Sequence, residues 1–121
     1  MTLSGFARAA ACGAALWAAS ITAASAHGYL VQSFPNRKAR LTESPHHISL
    51  LFSLRADANW STVRLERDDG VVLAEKAQPT TSRSFRMETP KLAPGAYRVR
   101  YRMLTPDGDL MQGKVEFVVE Q

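Results

Sequence analysis

Cysteine is nearly absent from this 121-residue chain: Cys12 is the only one. A single thiol excludes a disulfide framework and a multi-thiolate metal centre. Aromatic residues are sparse, at 8 %, and do not interleave with the scattered basic ones. With no readable recognition helix, nucleic-acid binding is not expected. No Ser/His/Asp or Cys/His arrangement emerges, so the reading is of a non-enzymatic protein without a small-molecule substrate. Repeats, linkers and low-complexity stretches are missing too, which leaves room for one modest domain.

What is present begins with a processing signal. Residues 1–26 combine Arg8, an alanine-rich apolar run over 9–24 and a small-x-small end, Ala24-Ser25-Ala26. The run falls short of the ~20 apolar residues of a comfortable membrane span. Cys12 precedes most of it, which is the wrong order for a lipoprotein signal. The expected mature chain is residues 27–121, exported without disulfides, as in a bacterial periplasm. Loss of Arg8 takes the 15 basic residues to 14 against 11 acidic, a net charge of +3. Cleavage after Ala26 would make His27 the first residue. An N-terminal histidine offers its α-amino group and imidazole Nδ1 together, a chelate suited to the tetragonal geometry of Cu(II).

The mature chain alternates with period two, the pattern of half-buried strands. Tyr97, Val99, Tyr101 and Met103 share one face, opposite Arg98, Arg100 and Arg102. Ile48, Leu50, Phe52 and Leu54 alternate likewise, as do Val115, Phe117 and Val119. Shorter candidates cover 29–32, 63–67, 71–74 and 85–87. Asp68-Asp69-Gly70, Pro94-Gly95 and Pro106-Asp107-Gly108 separate the runs with turn chemistry. About seven short strands without an amphipathic helix predict an all-β, two-sheet antiparallel sandwich.

Three stretches follow one another in a recognisable order: His27-Gly28-Tyr29-Leu30-Val31-Gln32-Ser33-Phe34-Pro35, then Ser44-Pro45 before residues 48–53, then residues 92–99 leading to Asp107-Gly108 and Gly113. In that order and spacing the mature chain resembles the CopC family of periplasmic copper-binding proteins. The resemblance implies a Greek-key, Ig-like β-sandwich that carries or buffers copper in copper resistance and homeostasis. It also implies exchange with an inner-membrane copper transporter of the CopD type, by a protein expected to be a monomer. The family's Cu(II) site uses the N-terminal histidine, an aspartate and a histidine two residues later. Carried over, these positions are His27, Asp107 and Asp109, so an aspartate stands where the second histidine is expected. Some members also use a glutamate where this chain has Leu54, and the methionine-rich Cu(I) segment of some relatives is missing. The remaining donors, the amine and imidazole of His27 with Asp107 and Asp109, make a two-nitrogen, two-oxygen set that Cu(II) accepts. The alternative is a CopC-like interaction module that has lost its metal and acts through a membrane partner. An oxidative copper enzyme would need a second imidazole facing the first.

Other candidates have plainer readings. His46 and His47 are adjacent on an extended strand, so they face opposite ways, and they lie roughly 20 Å from its far end. They are expected on the surface or in packing. Met87 and Met103 read as core, Met111 as a loop residue near Asp109, and Trp60 as a partly buried core residue. The arginine stripe is either satisfied by acids such as Glu116 on a paired strand or is a docking surface for an acidic partner.

Overall fold

The computed structural model describes residues 27–120; the expected signal segment 1–26, with Cys12 and the cleavage site, lies outside the described residues. Among the described residues eight strands form: β1 Leu30–Phe34, β2 Ala39–Leu41, β3 His47–Ala56, β4 Thr62–Arg67, β5 Val72–Ala77, β6 Ser82–Glu88, β7 Gly95–Leu104 and β8 Leu110–Val119. They assemble as two sheets, β1-β3-β6 and β2-β8-β7-β4-β5. The all-β sandwich expected from the alternation is therefore the fold. Two details differ. An eighth strand, β2, is present, and it pairs parallel with β8 through Ala39↔Phe117, Arg40↔Val118 and Leu41↔Val119. Three residues are too few to show alternation, and their partner is remote in sequence.

The inward faces are those the alternation marks. Ile48, Leu50 and Phe52 of β3 share one core with Tyr97, Val99, Tyr101 and Met103 of β7, and Val63, Leu65, Phe85, Val115 and Phe117 belong to it too. Phe52 and Tyr101 pack with ring centroids 5.3 Å apart, Tyr97 and Phe117 at 5.7 Å. Burying apolar side chains of this size contributes about 1.5–3 kcal/mol apiece, much of it offset by conformational entropy. Tyr97 also donates its hydroxyl to the Ala93 carbonyl, fastening the Pro94-Gly95 turn to the strand that follows.

The core depends on a glycine. Gly113 of β8 lies opposite Tyr101 of β7, and a Cβ there would fall 2.6 Å from the tyrosine oxygen. The phenol occupies the space a side chain at 113 would fill. This interruption is why only residues 115–119 read as a strand, whereas β8 runs from Leu110. Gly108 (φ 93°) supplies the left-handed residue of the β7–β8 turn, at the end of the molecule where the candidate site lies.

Candidate metal site at one end of the sandwich

Three segments build this end of the molecule. The first is residues 27–29, ahead of β1. Tyr29 donates its N–H to Ser53 Oγ at 2.9 Å, and its carbonyl accepts the Ser53 N–H, also at 2.9 Å. The second is the β3–β4 turn, where Asp57 N–H bonds the Leu104 carbonyl and Ser61 Oγ receives the Leu104 N–H. The third is the β7–β8 turn, residues 105–109. Thr105 holds both sides of it: its N–H reaches the Asp109 carbonyl at 2.8 Å, and its Oγ1 accepts the Asp109 N–H at 2.9 Å.

Gly28 ties the first segment to the third. A Cβ at position 28 would lie 2.4 Å from Met111 Sδ and 3.0 Å from Leu54 Cδ1. The backbone next to His27 is thus seated directly on Met111, two residues beyond Asp109. His27 and Asp107 are exposed and Asp109 is half-buried. Among the described residues, no three His, Cys, Asp or Glu side chains are grouped so as to hold a metal ion. The fold brings the segments carrying His27, Asp107 and Asp109 to one end but does not draw their side chains into a closed ligand cage.

The remaining candidates sort plainly. Met111 is not a loop residue: it lies on β8 opposite Met103 and is buried, as are Met87 and Met103. Trp60 is not core. It is 67 % exposed in the β3–β4 turn, while Ser61 takes the buried place beside it. Alternation carried back from Leu65 and Val63 puts Ser61 inside and Trp60 outside, a signal the sequence does contain. His47 starts β3 and packs on Phe34 with ring centroids 5.0 Å apart, and His46 is exposed at the same remote end.

Two of the three arginines in the stripe, Arg98 and Arg100, are answered by Glu66 rather than by Glu116. Glu66 is 5 % exposed and its Oε1 accepts Arg98 Nε at 2.8 Å and Arg100 Nε at 3.0 Å. Those bonds, led by Arg98, hold its carboxyl below the usual range despite burial. Glu116 faces Arg98 across β7–β8, but its ion pair is with Lys114, at 4.0 Å. A hydrogen bond from Arg67 likewise lowers Asp69 to about 2. Both depressed groups stabilise the fold above their ordinary values, 4.5 and 3.8, and release that stability as pH falls through their folded values. The melting temperature should accordingly fall on acidification from pH 4.5 towards 2. In Glu66→Gln the protein should melt lower at neutral pH and lose the upper part of that slope. Thermal unfolding followed by circular dichroism across this range checks both.

These observations define a small β-sandwich in which the segment carrying His27 is seated beside a carboxylate-bearing turn. The CopC domain profile matches residues 30–120, and the chain belongs to the CopC family. Among solved structures it is similar to CopC from Methylosinus trichosporium OB3b, with 31 % identity, 78 % of this chain and 94 % of that one covered, and a TM-score of 0.70. It is also similar to PcoC, a methionine-rich copper resistance protein from Escherichia coli. That match has 25 % identity over 78 % of this chain and 100 % of the other, with a TM-score of 0.65. A comparison with curated proteins gives no match.

Proposed function

We propose that this protein is exported by its first 26 residues, begins at His27 after cleavage, and carries or buffers Cu(II) in the periplasm. The amine and imidazole of His27 would hold the ion, with Asp107 and Asp109 supplying oxygens, and a membrane copper transporter would receive it. The observation that carries this reading is the seating of Gly28 on Met111. It anchors the chelating terminus two residues from Asp109, on a turn whose backbone Thr105 fixes. Family membership supports copper as the cargo. An open set with one imidazole suits a carrier, because an ion held without a closed cage is released readily. Protons compete for the amine and imidazole, so loading should weaken as pH falls.

The test is a Cu(II) titration of periplasmically processed protein, its N-terminus verified by intact mass. A version with one additional residue ahead of His27 is the comparison. One equivalent in a tetragonal nitrogen–oxygen site by electron paramagnetic resonance, lost in the extended version, is the expected result. Weak, non-stoichiometric association in correctly cut protein overturns the reading.

A second reading has its own observation. Leu54, where some relatives carry a glutamate ligand, packs against Gly28 and gives the site an apolar floor. A module that works through partner contacts alone would keep its partner in the presence of a chelator.

A further inference from the structure

We propose that the outer face of the five-stranded sheet binds an acidic segment of a partner protein, in a groove formed by Arg64, Arg100, Arg102 and Lys114. The register places Arg64 of β4 opposite Arg100 of β7, and Arg100 opposite Lys114 of β8. Three cations therefore stand in one row across three adjacent strands, with Arg102 two residues along on the same face. Like charges directly opposite one another destabilise a sheet. The row is only partly neutralised from within. Glu66 serves Arg98 and Arg100 together and reaches Arg64 at 3.7 Å, and Glu75 takes Arg64 at 3.0 Å. Lys114 meets Glu116 at the 4.0 Å limit of an ion pair. Among the described residues, Arg102 has no carboxylate within that limit, and its side chain is exposed.

Between these cations lies an open groove of about 570 Å³, in which Thr62 and Gln112 add polar groups. Its shape and chemistry select the occupant. Of the groove's lining residues Tyr101 alone has an aromatic ring, and that ring is 9 % exposed and packs inward on Phe52, so the groove itself offers no large apolar side chain to a lipid layer. A concave strip admits an extended chain better than a flat bilayer. Glu66 fixes the Arg100 guanidinium from below, which leaves a planar donor fork preset for a carboxylate. Thr62 and Gln112 can meet the peptide groups between the acids. The face lies on β4, β7 and β8, and binding there requires no metal.

The probe is a capped hexaglutamate peptide, titrated at low ionic strength against nitrogen-15-labelled protein in the presence of a chelator. Amide shifts should map to β4, β7 and β8 and shrink with added salt. Arg102→Glu and Lys114→Glu should each weaken binding by about ten-fold, since a reversal exchanges an attraction for a repulsion. Arg37→Glu, which makes the same change in net charge on an exposed turn away from this face, should leave it within about two-fold. Equal losses in all three variants, or shifts that map elsewhere, overturn the proposal by showing a response to net charge alone. Phosphatidylglycerol vesicles that bind with the same dependence on Arg102 while the peptide does not would overturn it in favour of a membrane surface.

Discussion

Asp109→His should raise Cu(II) affinity by about 100-fold or more, given that even a group outside the ligand shell is worth about 10–100-fold. The backbone at 109 does not depend on the side chain it carries. Its N–H and carbonyl are both held by Thr105, so the substitution leaves the turn intact. The side chain is half-buried at the end where Gly28 meets Met111. An imidazole there adds a nitrogen of the kind Cu(II) favours to a set otherwise completed by carboxylates. It also changes the pH response. A histidine ligand must be neutral, so the gain should fade as pH drops below about 6.5. A chelator-competition titration gives the affinity, and nitrogen hyperfine structure in the paramagnetic spectrum shows whether a further imidazole has joined. An unchanged spectrum would separate residue 109 from the copper site and remove Asp109 from the proposed ligands.

The contrast between what local pattern conveys and what it hides is clear in this chain. Strand β7 was legible because residues 97–103 alternate without a break, and the turns on either side carry Pro-Gly and Asp-Gly. Strand β8 was half-legible. Gly113 breaks its alternation, and the reason for that glycine is the Tyr101 ring on the neighbouring strand, which no reading of β8 by itself supplies. Strand β2 exists through its pairing with β8, residues far along the chain. Glu66 alternates with the core residues Val63 and Leu65 of its strand, yet it is buried beside arginines of another strand, a consequence of the β4–β7 register. The candidate site divides in the same way. His27, Asp107 and Asp109 could be named from residue type, turn chemistry and family resemblance. The seat that Met111 and Leu54 make for Gly28 could not, because it joins β3, β8 and the segment before β1.

That seat yields the second large effect: Gly28→Ala should lower Cu(II) affinity by about ten-fold or more, comparable to disturbing the groups that orient a ligand. The added methyl would fall 2.4 Å from Met111 Sδ, 2.9 Å from its Cγ and 3.0 Å from Leu54 Cδ1, so something must move. Met111 is 3 % exposed, on a strand paired along its length, and has little room to turn away. Residues 27 and 28 precede β1 and, once cleaved, are tethered on one side only. The terminus is therefore the part that shifts, carrying the amine and imidazole of His27 away from the β7–β8 turn. Thermal stability should change little, because the ladder from Leu30 onward and the core behind it are unaltered. Met111→Ala in the same background removes the obstructing sulfur and should recover much of the affinity, even though the cavity lowers stability. Recovery of binding alongside a loss of stability would assign Met111 the positioning of His27. Gly28→Ala protein that binds Cu(II) like the wild type would show that the chelating terminus needs no seat, and would detach the copper proposal from the contact on which it rests.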